Sequence, residues 1–395
     1  MWLNKDFYII KGKVNSCIYN SKTGDIFHVD NYNLFEILND NITDAQIFNS
    51  LINYKILTTE KTNWDGDPKS IDSNREYNIN FAWIEITQNC NLKCVHCYNG
   101  KRLTNANMRY NDFKKVIDQL EEIGVKRIQL IGGEPFLNPE IEKMLCYASN
   151  KMEFVEVFSN GTLISDRMIE LLKTKNICLA VSVYSYIEKM HNKVTKNELS
   201  FSCTINTIKK ARKNNIKYRV ARVIIKGVEL GNKNTDLFTL SPYKDYVRLS
   251  GRASIKLYDK HMLVDKLITQ QTFTKKVKFE TFSENTVVCH CFAKNIYIDV
   301  DLNVFPCVME RRIMYGNLFT TNLKKLIEKS KIKYLNKDHI DGCKDCEFRY
   351  FCYDCRPDNM SESITSKPWF CTYNPLTGTW EKTDLFIKKL LKRSE

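Results

Sequence analysis

The chain of 395 residues contains no run of about 18 apolar residues, so no part of it reads as a membrane-spanning helix. Its first residues, "MWLNKDFYIIKGK", lack the apolar core of a secretion signal. No internal repeat and no low-complexity tract occurs. A basic tract is missing too: the net charge is +14, but the lysines scatter through segments such as "TIKKARKNNIK" and "LFIKKLLKRSE". Charge spread in this way reads as a solvated basic surface or a groove for an acidic peptide, not as a nucleic-acid footprint. Together these absences predict a cytoplasmic protein that engages neither membrane nor nucleic acid.

What is present is apolar bulk and thiols. Hydrophobic residues make up 43% of the chain and aromatics 12%, enough for two or three domains at roughly 100–200 residues each. Fifteen cysteines in a reducing compartment point to metal binding or redox chemistry, not to disulfides. Three lie at 90, 94 and 97, and eight crowd residues 289 to 371. Cys17, Cys146, Cys178 and Cys203 stand alone and read as small buried hydrophobes.

Residues 1–75 read as three short strands, "DFYIIKG", "NSCIYNS" and "GDIFHVD", followed by helices in "YNLFEILND" and "TDAQIFNSLINYKIL". "SKTGD" fits a hairpin turn, and Asp40 or Thr43 is placed to cap the later helix. "TTEKTNWDGDPKSIDSNREYN" has turn residues without periodicity and reads as a linker. From residue 80 strands alternate with amphipathic helices to about residue 240, the pattern of βαβ units and a parallel sheet or barrel, which binds ligands at the C-terminal ends of its strands. Residues 245–288 bridge to a cysteine-rich region at 289–375, which reads as a small domain held by metal, and 376–395 end in a helix.

Cys90, Cys94 and Cys97 form C-x3-C-x2-C just past the first barrel strand, in "QNCNLKCVHCYNG". A tetrahedral zinc site wants a fourth ligand, and His96 is poorly placed beside Cys97 to supply it. Three thiolates instead suit three irons of a [4Fe–4S] cube, with the fourth iron open to a ligand that is not protein. "IQLIGGEPFLNP" follows the next strand, where Gly132 and Gly133 permit close backbone approach and Glu134 or local carbonyls accept from an ammonium group.

These stretches resemble the radical S-adenosylmethionine family, whose C-x3-C-x-aromatic-C loop is matched here with His96 at the aromatic position. The resemblance implies a partial (β/α)6 TIM barrel over 80–240, an α/β fold class, and S-adenosylmethionine bound at the open iron and cleaved to a radical that abstracts hydrogen. It implies cofactor contacts from Gly132, Gly133, Glu134 and Pro135, from Ser159 and Asn160 in "VFSNGTLI", and from Ser182 in "LAVSVYS". Many relatives have an arginine where "HNKVTKNEL" has Thr195, so Lys193 or Lys196 is assigned its cationic role.

The C-terminal cysteines, with "IDVDLNVFPC" and "YGNLF", resemble the SPASM extension of that family, which holds two auxiliary [4Fe–4S] clusters. Without the front half, their C-x2-C pairs would read as zinc knuckles. Carrying the family's ligation over gives Cys289, Cys291, Cys307 and Cys355 to one cluster and Cys343, Cys346, Cys352 and Cys371 to the other. Leu302 stands where a glycine is usual, and C-x2-C replaces C-x3-C at Cys352 and Cys355. The N-terminal segment resembles a winged-helix-like leader-recognition domain, with residues 24–30 as the edge strand that takes an added peptide strand, or its immediate neighbour, and the helix from Tyr32 as the other wall. The implied function is maturation of a ribosomally made precursor peptide by hydrogen abstraction and cross-linking, a thioether being the expected product. Partners are the leader-bearing peptide and a flavodoxin or ferredoxin as electron donor. A sulfatase-type maturase, a small-molecule radical dehydrogenase and a non-catalytic cluster scaffold are the rival readings. No catalytic acid or base is legible.

Overall fold

The computed structural model describes residues 1–39, 44–71, 78–100, 104–241, 245–330, 335–359 and 363–392. The chain divides into two units, one of Met1–Glu76, Leu263–His290 and Ile332–Glu395, the other of Tyr77–Met262 and Cys291–Lys331.

The first unit begins with β1 (Trp2–Leu3), β2 (Phe7–Lys11), β3 (Asn15–Asn20), β4 (Ile26–Asp30), α1 (Asn31–Leu38), α2 (Ala45–Asn53) and β5 (Leu57–Thr58). β2, β3 and β4 form an antiparallel sheet in that order, and β1 pairs with β5. Gly24, at φ +78, makes the turn between β3 and β4. Asp30 caps α1 and Asp44 caps α2, each by accepting backbone N–H bonds; Asp40 and Thr43, expected as caps, lie outside the described residues. Side chains alternate across the sheet. Phe7, Ile9 and Ile18 face Leu34, Ile37 and Leu51, while Ile10, Cys17 and Tyr19 face Phe282, Phe348 and Tyr350. β2 and β3 are thus buried on both faces, one of them by parts of the chain far away in sequence, whereas β4 is only partly covered.

The stretch read as a linker is in part packed. Trp64 donates its indole N–H to the Phe7 carbonyl at 2.7 Å, and Ile9 N–H donates to the Gly66 carbonyl at 2.7 Å. Gly66 holds φ +74 there, with no room for a Cβ beside Leu3. One edge of the sheet, at β2, is covered in this way.

The second unit supplies β6 (Phe81–Thr87), α3 (Tyr110–Glu122), β7 (Arg127–Gly132), α4 (Ile141–Lys151), β8 (Phe154–Ser159), α5 (Asp166–Thr174), β9 (Cys178–Ser182), α6 (Glu188–Thr195), α7 (Ser200–Lys213) and β10 (Tyr218–Ala221). It adds β11 (Asn295–Ile298), β12 (Asn303–Phe305) and β13 (Gly316–Asn317). The sheet runs β10-β9-β8-β7-β6-β11-β12-β13. Its first six members are parallel throughout. The expected barrel therefore takes five parallel strands from residues 81–221 and its sixth from Asn295–Ile298. Ile84, Leu130, Val157 and Leu179 are fully buried between sheet and helices, each stabilising the unit by about 1.5–3 kcal/mol. Leu302, in the turn between β11 and β12, holds φ +64 with its side chain buried in this core. The backbone there is the left-handed one that favours glycine, and burial of the leucine offsets its strain of about 1–2 kcal/mol.

The C-terminal part of the first unit ends in the hairpin β14 (Tyr373–Asn374) and β15 (Thr379–Trp380). Among the described residues, no helix is long and apolar enough to cross a membrane.

Candidate functional site

The three-cysteine loop leaves the C-terminal end of β6 and is fixed by backbone bonds from several directions. Lys93 N–H and Val95 N–H donate to the Thr195 and Val194 carbonyls, at 3.2 and 3.0 Å, at the C-terminal end of α6. Glu134 N–H donates to the Asn89 carbonyl at 2.8 Å, and Gly133 N–H to the Thr87 carbonyl at 2.9 Å. A Cβ at Gly132 would sit 2.3 Å from the Thr87 carbonyl oxygen, and one at Gly133 would sit 2.2 Å from that of Asn89. Both glycines therefore serve the close approach of β7 to the cysteine loop, a role that local sequence does not reveal.

A cavity of about 690 Å³ opens at these strand ends. Cys90, Cys94 and Cys97 line it together with Gly132, Gly133, Ser159, Asn160 and Ser182. Most of the residues expected to contact the cofactor are thus gathered in one place. Pro135 and Glu134 are buried and do not line it. The Glu134 carboxylate accepts from Ser159 Oγ at 2.8 Å, Asn160 N–H at 2.8 Å and Phe136 N–H at 3.2 Å. Burial pushes its pKa up to about 7, against those three bonds. Its place is behind the wall, where it orients Ser159 and Asn160. Asn160 in turn donates to Asn91 Oδ1 at 2.9 Å, tying the end of β8 to the cysteine loop.

Burial raises the thiol pKa of Cys90 to about 11 and of Cys94 to about 12. Without an electrophile to hold, these groups stay protonated; metal binding would displace the protons. Among the described residues no three His, Cys, Asp or Glu side chains converge to hold one ion, as a mononuclear zinc site requires. The thiols of a cube bind different irons, so they need not converge on a point. Three thiols, buried N–H donors and a cation at one cavity wall fit that group.

His96, at the expected aromatic position, meets the Tyr184 ring edge-on with centroids 4.9 Å apart. Burial first, then the charge of Arg252, lowers its pKa to about 4, and its Nδ1 is buried with no hydrogen-bond partner among the described residues. A neutral ring packed edge-on against Tyr184, with its Nδ1 unused among the described residues, serves as an aromatic. His96→Phe is therefore expected to keep iron content and cofactor cleavage within about twofold of the parent, because the ring contact carries the role; iron analysis and product chromatography check this.

Among the described residues, the cations that line the cavity are Arg219, Arg222, Arg248 and Arg252. Lys193 and Lys196, given the cationic role above, are exposed and do not line the cavity. Arg219 is engaged by Glu156 through two bonds of 2.8 and 2.7 Å. Periodicity also missed a buried polar cluster under the loop. Glu85 accepts from Asn99 Nδ2 at 2.5 Å and lies 4.0 Å from Arg311, whose guanidinium covers the Tyr297 ring at 3.7 Å.

In the first unit, Cys343, Cys346, Cys352 and Cys371 line one small cavity with Lys337, Arg349 and Lys367. Burial raises all four thiols, and Lys367 opposes this at Cys343, Cys352 and Cys371. Of the other proposed set, Cys289 and Cys355 belong to the first unit and Cys291 and Cys307 to the second, where Cys291 acts electrostatically on Cys307.

Residues 84–231 match the family model described as the radical SAM superfamily. Over 143 residues, 35% of its length, the chain is 36% identical to the antilisterial bacteriocin subtilosin biosynthesis protein AlbA of Bacillus subtilis. It spans 32% of AlbA, and 49% of the GTP 3',8-cyclase of Clostridium botulinum at 27% identity. Against the AdoMet-dependent heme synthase of Methanosarcina barkeri it is 23% identical over 74% of its length and 96% of that protein. The fold is shared with Streptococcus suis SuiB bound to precursor peptide SuiA, at TM-score 0.60 and 16% identity over 93% of this chain and 98% of that one. It is shared also with anSMEcpe bound to AdoMet and the Kp18Cys peptide, at TM-score 0.51 and 18% identity over 79% and 97%. Sequence match, parallel barrel and three-cysteine loop agree: the chain carries a domain of the radical SAM superfamily.

Proposed function

We propose that the chain modifies a ribosomally made precursor peptide, forming a cross-link by hydrogen abstraction, with a thioether as the product. The observation that carries the reading is the single cavity shared by Cys90, Cys94, Cys97, Gly132, Gly133, Ser159, Asn160 and Ser182 at the strand ends. When bound there, a [4Fe–4S] cluster and S-adenosylmethionine supply the hydrogen-abstracting chemistry. Cys90, Cys94 and Cys97 hold the cluster, the Gly132–Gly133 backbone and the hydroxyl and amide groups at the ends of β8 and β9 orient the cofactor, and Glu134 keeps Ser159 and Asn160 in place. The C-terminal cysteines, in the sets given above, would hold two auxiliary clusters, which would supply an acceptor for the substrate thiolate or the excess electrons, and a flavodoxin or ferredoxin would be the electron donor. AlbA acts in subtilosin biosynthesis and SuiB binds a precursor peptide, which supports a peptide over a small-molecule substrate.

The N-terminal strands and helices are read as the leader-binding element. Ladder bonds at Asn20–Asp25 and at Val14–Asn31 set the alternation that turns the N–H groups of Ile26, His28 and Asp30 away from β3. Beside this edge α1 exposes Tyr32, Phe35 and Leu38, at 73%, 60% and 42%. An extended leader would pair with β4 and lay apolar side chains on that stripe.

The test is anaerobic incubation of reconstituted protein with a reductant, S-adenosylmethionine and a leader-bearing peptide with cysteine in its core. Thioether formation removes two hydrogens per link, as C–H and S–H become C–S with two protons and two electrons released. Mass spectrometry should find that loss, with the core thiol no longer alkylatable. Cofactor cleavage without any change in such peptides would defeat the reading.

A further inference from the structure

Arg252 belongs to an irregular segment that helix and strand periodicity passes over, yet it is bound to the three-cysteine loop at two points. Its backbone N–H donates to the Cys97 carbonyl at 3.0 Å, and its Nε donates to the Cys94 carbonyl at 2.9 Å. The approach depends on two bare glycines. A Cβ at Gly100 would stand 2.5 Å from Arg252 Nε, and one at Gly251, which holds φ +60, would stand 2.3 Å from the Cys97 oxygen and 2.2 Å from the Tyr98 oxygen. The side chain lines the cavity, and its Nη2 is buried with no hydrogen-bond partner among the described residues. A buried guanidinium N–H left unmet calls for an acceptor, and the neighbouring sulfurs are acceptors once deprotonated.

We infer that Arg252 is a positioning residue of the radical centre: it locks the three-cysteine loop and sets a fixed positive charge against the cluster held there, raising the cluster's reduction potential. One-electron reduction adds one negative charge to the cluster, and a cation at the cavity wall stabilises the reduced form relative to the oxidised one. The inference rests on the cysteine loop alone and stands whether or not the substrate is a peptide.

The experiment is a redox titration of the full reconstituted chain, followed by electron paramagnetic resonance, with the centre identified as the signal perturbed by added S-adenosylmethionine. Arg252→Gln should lower its midpoint by about 59 mV, a tenfold change in a one-electron equilibrium, at parental iron content. Arg252→Lys, which keeps the charge, should stay closer to the parent. An unchanged midpoint in the Gln variant, or an equal fall in both variants, overturns the inference. Where the Gln variant takes up no iron, the Lys variant decides alone: parental potential supports the inference, and a tenfold fall refutes it.

Discussion

Replacing Cys90, Cys94 and Cys97 together by Ala is expected to abolish 5'-deoxyadenosine formation and to remove about four of roughly 12 irons per reconstituted chain. The two readouts test different steps of the reasoning. Apart from the bond that Leu92 N–H donates to Cys90 Sγ at 3.4 Å, the loop is held by backbone bonds to Thr195, Val194, Glu134 and Arg252, which alanines leave intact. A soluble variant with parental secondary structure is therefore the expected background. Iron falling by about four with cleavage lost assigns the cluster to these thiols. Parental iron with cleavage retained would move the radical centre elsewhere and overturn the site. The remaining iron, about eight per chain, reports on the C-terminal cysteines. Zinc recovered there in place of iron would end the two-cluster reading while leaving the radical site untouched.

What could be read from sequence was what is local along it. The five strands between Phe81 and Ala221 were legible because each apolar run is short and bounded by turn residues, and the helices between them keep one apolar face. The cysteine loop and the Gly-Gly-Glu-Pro turn were legible because their spacing is fixed within a dozen residues. The sixth parallel strand was not, because nothing in "NIYI" says that it pairs with Phe81–Ile84 across more than two hundred residues. Arg252 was not, for the same reason: it meets Cys94 at a separation of 158 residues. Glu134 shows a subtler gap. Sequence identified the residue as belonging to the site, but only burial and the three bonds it accepts place it behind the cavity wall and not on it. Lys193 and Lys196 were chosen for charge and proximity in sequence, whereas α6, which ends at Thr195, offers the loop its terminal carbonyls instead.

The N-terminal prediction also takes a different form once the packing is known. Deleting residues 1–75 would seem the direct test of leader recognition, but Ile10, Cys17 and Tyr19 are buried against Phe282, Phe348 and Tyr350 of the same unit. His28 of β4 stacks on Phe348 at 5.4 Å and bonds Glu347, next to Cys346, at 2.9 Å. Truncation would open that core and disturb the cysteines beside it, so lost activity would say nothing about the leader.

The informative variant is Tyr32→Glu with Phe35→Glu. Both side chains are mostly exposed, at 73% and 60%, so the fold loses little apolar burial when they go; α1 keeps Leu34 and Ile37 in the core and its Asp30 cap. What changes is the stripe beside the edge of β4 that pairs with no strand among the described residues, where two aromatic anchors become two charges. Aromatic anchors of this kind carry about 2 kcal/mol or more each at peptide interfaces. The double variant should therefore lose tenfold or more, on the order of 1.4 kcal/mol at the least, in kcat/KM on a leader-bearing peptide. Cofactor cleavage without peptide should hold at the parental rate, because the cavity that binds it lies among other residues. A leaderless core peptide supplies the control: if its slow modification is unchanged while that of the full-length peptide falls to the same level, the stripe acts through the leader. Parental kcat/KM on the full-length peptide would remove α1 and β4 from recognition and leave the N-terminal strands a structural role.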